Sequence, residues 1–156
     1  MGRERLRAFL TALAVTAVDQ GTKAWALASL SDRPVPVLGD VVRFVLRFNT
    51  GAAFSVAWGG PSVLLVVNIV ASVLLFWYIF RVRSRRVLPM LVLILGGALG
   101  NTMDRVFHGH VTDFIDIGIG TLRWPVFNVA DIALVVGGVL MLLKAGGKGA
   151  EGDEKA

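Results

Sequence analysis

The chain has 156 residues, a formal net charge of +5, no cysteine and 55% hydrophobic residues. Its mean hydropathy of +0.70 implies more apolar surface than one soluble domain of this length can bury. The absence of cysteine excludes disulfides, thiol catalysis and cysteine-bound metals. The basic residues flank apolar runs instead of forming a basic face with interleaved aromatics, which argues against a nucleic-acid partner.

The first apolar run covers residues 8–28 and is interrupted by Asp19 and Lys23. With Arg3, Arg5 and Arg7 before it and Ala26-Leu27-Ala28 at its end, it imitates a secretory signal peptide. Asp19, Gln20 and Lys23 break that pattern, so a retained helix is expected. Asp19 and Lys23 are four apart, share one helical face and can form an ion pair.

In the connection at residues 29–60, Pro34, Pro36 and Gly39 punctuate the approach to Val41-Val42-Arg43-Phe44-Val45-Leu46-Arg47-Phe48. That β-branched and aromatic stretch predicts one or two short strands, resting on the outer membrane surface. The second apolar run, residues 61–80, has no charge, and the third, residues 87–103, is closed by Asp104 and Arg105. A second connection, residues 104–124, carries His108, His110 and Asp113. The histidines lack the further ligands a metal site needs and read as interfacial residues. The fourth run, residues 125–143, contains Asp131, and the glycine-rich polar tail at 146–156 reads as disordered.

Each run is long enough to cross about 30 Å of hydrocarbon as a helix. The expectation is an all-α membrane protein with four transmembrane helices and a small extracytoplasmic β element between spans one and two. Residues 1–145 form its single domain. Four spans put the three basic clusters on one side: Arg3–Arg7, Arg81–Arg86 and Lys144–Lys148. The positive-inside rule makes that side cytoplasmic, with both termini there. Trp25, Trp58 and Trp124 then fall near the outer boundary and Trp77 near the inner one. Gly96, Gly97, Gly100, Gly137 and Gly138 read as positions of close helix packing.

Ionisable groups within membrane segments cost roughly 2.5–3.5 kcal/mol each and mark pairing or function. Span three runs outward, so Asn101, Asp104 and Arg105 arrive at its outer end. Span four runs inward, so Asp131 lies about six residues in, roughly 9 Å below its start. Asp104 with Arg105 reads equally as an interfacial ion pair, and Asp113 in a loop as a solvated residue. Asp131 has no such ordinary role. Two carboxylates close together in a poorly solvated layer share a proton, a state suited to peptide hydrolysis. Neither His-Glu-x-x-His nor Gly-x-Ser-x-Gly occurs in the sequence.

Five blocks together are recognisable: Asp19-Gln20-x-Thr22-Lys23, Asn49-Thr50-Gly51-Ala52-Ala53-Phe54, Gly96-Gly97-Ala98-Leu99-Gly100-Asn101-x-x-Asp104-Arg105, Val111-Thr112-Asp113-Phe114 and Phe127-Asn128-x-Ala130-Asp131. In this order, along nearly the whole chain, they resemble the lipoprotein signal peptidase (signal peptidase II) family, whose members are aspartic intramembrane peptidases. Thr112 and Ile132 depart from what many members carry. The resemblance implies metal-independent removal of the signal peptide from diacylglyceryl-modified prolipoproteins, just before the lipidated cysteine. It requires no cofactor and implies a bacterial inner-membrane location, with the site near the extracytoplasmic face. It implies Asp113 and Asp131 as the catalytic pair, and Asn49, Asn101, Arg105 and Asn128 as residues holding the substrate backbone. Asp19, Lys23, Gly51, Asp104 and Ala130 are implied as structural or supporting. The expected partners are the prolipoprotein and membrane lipid, and the chain is expected to act as a monomer. The outer β element with residues 51–54 is expected to form a lid. The rival reading is a small proton-coupled transporter or channel, which also uses paired membrane carboxylates but favours the midplane and repeated halves.

Overall fold

Runs of leucine, valine, isoleucine and alanine give the helices of a computed structural model that describes residues 2–51, 61–82 and 84–150. Its helices are α1 (Arg3–Ser29), α2 (Pro61–Arg81), α3 (Leu88–His108) and α4 (Val129–Ala150). Between them lie the strands β1 (Val35–Leu38), β2 (Val42–Asn49), β3 (Val111–Ile119) and β4 (Leu122–Arg123). Both α2 and α3 are long and apolar enough to cross a membrane.

Helix α3 is the centre of the bundle and packs against α1, α2 and α4. Ala8, Ala12, Ile79, Leu91, Val92 and Leu95 form the core at one end. Small residues set the closeness of the packing. A Cβ on Gly97 would strike the carbonyl oxygen of Ala130, and one on Gly100 would strike the Asp19 carboxylate. One on Gly96 would come within 2.7 Å of Val15, and one on Gly137 within 2.7 Å of Ile94. Among the described residues Gly138 has no such neighbour within 4 Å, in contrast to the close-packing position expected from sequence.

The strands form one antiparallel sheet in the order β1-β2-β3-β4. This corrects the expected architecture, because half of the sheet comes from the connection between the third and fourth helices. Phe44 of β2 and Phe114 of β3 pack against Trp25 of α1, with ring centroids 5.2 and 6.0 Å from it, which seats the sheet on that end of the bundle.

Helix boundaries also differ from expectation, and two of the differences move site residues. Helix α3 runs past Asp104 and Arg105 to His108, where Gly109 at φ +74° ends it in the left-handed region. Helix α4 starts at Val129, because Phe127 is still extended and bonded to Ile115 of β3 (2.8 and 3.0 Å). Asp131 is therefore in the first turn of α4, not six residues below its start. At its other end α4 continues to Ala150, five residues into the stretch expected to be a disordered tail. Residues 151–156, Trp58 and residues 52–54 of the expected lid lie outside the described residues.

Candidate active site

The site grows from the start of α4. Asn128 is the N-cap residue: its side-chain oxygen accepts the Asp131 N–H (3.0 Å), and the Asp131 carboxylate accepts the Asn128 N–H (3.2 Å). This reciprocal pair is a capping box with Asp in the third helical position. Asp19 of α1 accepts the N–H of Ala130 (2.8 Å) and so satisfies another first-turn donor. Gly97 and Gly100 leave the room that lets α3 and α1 approach this turn.

Asp113 arrives from β3 as a buried residue. Its placement starts one residue earlier, where the Thr112 N–H donates to the Asp104 carboxylate (2.8 Å) and ties the strand to the end of α3. Asn128 Nδ2 donates to Asp113 (2.7 Å), so one asparagine holds both carboxylates. Asn49 of β2 donates to the other Asp113 oxygen (3.1 Å), and Asn101 of α3 donates to Asp131 (2.8 Å).

All three asparagine amides are oriented by a group that can only donate. Asn49 Oδ1 accepts the Gly51 N–H (2.9 Å), Asn101 Oδ1 accepts from Lys23 Nζ (2.9 Å), and Asn128 Oδ1 accepts the Asp131 N–H. Each NH2 group is thereby turned toward a carboxylate. Gly51 supports this geometry at φ +71°, in a space where a Cβ would meet Leu64 at 2.5 Å.

Behind the asparagines is a buried ionic layer. Lys23 bridges Asp19 (2.8 Å) and Asp104 (3.2 Å), all three almost wholly excluded from solvent. Gln20 adds bonds to Asp104 (3.0 Å) and to the Gly100 carbonyl (3.1 Å). Asp104 thus pairs with Lys23 instead of forming the interfacial pair with Arg105 that sequence made plausible. The half-buried Arg105 guanidinium reaches only the Asn101 carbonyl (3.4 Å) among the described residues.

Burial raises the Asp113 carboxyl to about 6, and the neighbouring Asp131 charge adds to the rise. The bonds from Asn49 and Asn128 and the more distant Lys23 oppose it. Asp131 is only half-buried and borders an apolar groove of about 290 Å³ with Trp124, Phe127, Ile132, Val135 and Val136. One carboxyl raised to about 6 beside a second one facing an open groove can move a proton to and from a bound substrate.

The chain is similar to known proteins along most of its length. The family described as signal peptidase (SPase) II matches residues 11–145. The lipoprotein signal peptidase of Xylella fastidiosa strain M12 is 42% identical over 138 residues, covering 83% of this chain and 82% of its own. That of Polynucleobacter necessarius is 40% identical over 156 residues, covering 94% and 95%. The chain belongs to the signal peptidase II family. It is a peptidase of lipoprotein processing. A solved bacterial membrane enzyme superposes with a TM-score of 0.82 at 27% identity, covering 96% of this chain and 93% of that one. A second bacterial membrane enzyme gives 0.78 at 28% identity, covering 89% and 92%.

In this peptidase the residues singled out from sequence converge: Asp19, Lys23, Asn49, Asn101, Asp104, Asp113, Asn128 and Asp131 form one hydrogen-bonded network. Ala130 joins it through its N–H. His108 and His110 lie outside that network, with His110 packed edge-on against Phe48 at 4.5 Å. Two features escape a reading of the sequence. Gln20 stands out there only as part of its block and as a polar break in the first apolar run, although its amide bonds directly to Asp104. A second ionic cluster, Asp116 gripped by Arg43 (2.7 Å) and Arg123 (2.6 Å), has no local signal because its members come from three strands. Burial pushes the Asp116 carboxyl up, but the bonds from Arg123 and Arg43 outweigh it and hold the group below its ordinary value.

Proposed function

We propose that this chain is an aspartic endopeptidase that releases the signal peptide from diacylglyceryl-modified prolipoproteins, cutting just before the lipidated cysteine. The observation that carries the reading is Asn128, bonded at once to Asp113 and to Asp131. Asp131, in the first turn of a helix whose dipole favours negative charge, is the base that takes a proton from water. Asp113 is the acid that protonates the scissile carbonyl oxygen. As the tetrahedral intermediate collapses, the C–N bond breaks, the proton taken by Asp131 passes to the leaving amine, and a hydroxyl of the intermediate returns its proton to Asp113, which restores both acids. Asn49, Asn101 and Asn128 present their NH2 groups to the acids and thus position them, which leaves the Arg105 guanidinium as the donor best placed for the substrate backbone.

All four helices cross the membrane in this reading, with both termini cytoplasmic and the sheet outside. Exposed apolar side chains on every helix support it, among them Leu13 on α1, Val66 on α2, Val106 on α3 and Val135 on α4. A lipid-tethered substrate reaches a site at that level without its signal helix leaving the bilayer.

The test is to incubate a lipid-modified precursor with the reconstituted protein and follow its mass, with and without a chelator. The expected result is loss of the signal peptide at the same rate in both samples. No mass change, together with proton flux across proteoliposomes, would replace this reading with the transporter alternative.

A further inference from the structure

The sheet carries Asn49 and Asp113 toward the site, and its opposite end has an unusual surface. The β1–β2 turn is Leu38-Gly39-Asp40-Val41, and the β3–β4 turn is Ile119-Gly120-Thr121-Leu122. Gly39 and Gly120, at φ +53° and +55°, make both turns tight. Residues at such tips are ordinarily polar. Here Leu38, Ile119, Leu122 and the adjacent Trp124 are 67–83% exposed, and Val41 is exposed beside them. The two tips are neighbours, since Val42 pairs with Ile117 and the Gly118 N–H donates to the Val41 carbonyl (3.0 Å).

The tips are also held rigidly. Arg123 donates to the Asp40 carbonyl across the two turns (3.0 Å) and to Asp116 behind them, where Arg43 also binds. Their depth follows from Trp124, which lines one groove with Asp131, Val135 and Val136. Val136 is seven residues beyond Val129, about 10 Å down the helix. The segment leaving β4 therefore lies along the apolar flank of α4, whose Val135, Val139 and Leu142 are exposed. The apolar tips continue that flank.

We propose that the two hairpin tips form a membrane-insertion element, in which Leu38, Val41, Ile119 and Leu122 enter the acyl region of the leaflet at the sheet's end of the bundle. The occupant is lipid, for two reasons. The tip surface is continuous with the exposed apolar face of a membrane helix. An indole and a layer of arginines also stand just behind it, the arrangement that favours a membrane–water boundary. Insertion fixes the height of β2 and β3, and so of Asn49 and Asp113, relative to lipid-anchored substrate. The inference needs only that the chain sits in a bilayer, so its failure would leave the peptidase reading intact.

The chain has no cysteine, so each of Leu38→Cys, Ile119→Cys and Leu122→Cys takes a single nitroxide label. The labelled proteins are placed in vesicles of phosphatidylethanolamine and phosphatidylglycerol, and collision rates with oxygen and with a water-soluble nickel chelate are measured. Val139→Cys serves as the lipid-facing reference and Arg33→Cys as the reference outside the helices. The expected oxygen-to-nickel ratio at all three tips is several-fold above that of Arg33→Cys and close to that of Val139→Cys. Free access of nickel to the tips would overturn the proposal. So would exclusion of both reagents with spin–spin broadening, which would mean that a second copy covers them.

Discussion

Asp131→Asn is expected to fold, to insert and to bind precursor, yet to cleave it about 10²–10⁴-fold more slowly, the usual contribution of a positioned acid or base. The asparagine oxygen can still accept the N–H of Asn128 or the NH2 of Asn101, so the helix start survives (bonds of 3.2 and 2.8 Å in the native protein). What is lost is a group able to take a proton from water. Asp113→Asn is expected to fail equally in the chemical step, because its amide cannot donate an acidic proton. Single-turnover cleavage, with binding measured separately, checks both. Near-native turnover of either variant would remove that residue from the chemistry. Asp104→Asn provides the contrast, with its main effect expected on folding or binding.

Lys23→Met is expected to cost about 3–5 kcal/mol of stability, the range for removing one partner of a buried ionic pair. Lys23 neutralises two carboxylates, Asp19 and Asp104, and neither has solvent to replace it. Screening offers no discount, since the side chains involved are at most 3% exposed. The loss reaches the active site as well. Without the ammonium donor (2.9 Å), one of the groups fixing the orientation of the Asn101 amide is gone, and with it the secure bond to Asp131. Thermal unfolding in detergent reads the first effect and kcat the second. An unchanged unfolding temperature would show that the ionic layer is not the support described here.

The helices were legible because a long apolar run bounded by arginines and lysines is hard to build as anything but a helix. Of the strands only β2 was legible: β1 (Val35–Leu38) falls on the approach punctuated by Pro34, Pro36 and Gly39, and β3 and β4 fall in a connection where no strand is expected. Val111-Thr112-Asp113-Phe114-Ile115-Asp116 mixes apolar and acidic residues without clean alternation, because the strand is buried over nearly all of that stretch. Both aspartates find partners only in three dimensions: Asp113 with Asn49 and Asn128, Asp116 with Arg43 and Arg123. The position of Asp131 along its helix differs from the expected one because Pro125, Val126 and Phe127 look like helix on hydropathy alone, whereas Phe127 bridges to Ile115. A clue was present, since an asparagine three residues before an aspartate is a capping-box pattern that sets the helix start at Val129. The Asp19–Lys23 pair was readable from its spacing, while the bond from Lys23 to Asp104 joins residues far apart in the chain and leaves no local trace.

Whether Asp113 and Asp131 act as a pair is read most directly from the titration of Asp113, followed by the carbon-13 shift of its labelled carboxyl in detergent-solubilised protein. Its folded value of about 6 stands above the free value of 3.8. Proton binding by Asp113 therefore contributes stability that is complete below about pH 4 and is lost as pH rises through about 6. The predicted result is a midpoint near 6 in the native protein that moves down in Asp131→Asn, where the neighbouring negative charge is gone. A midpoint near 4 that ignores residue 131 would mean that the two acids do not act as a pair.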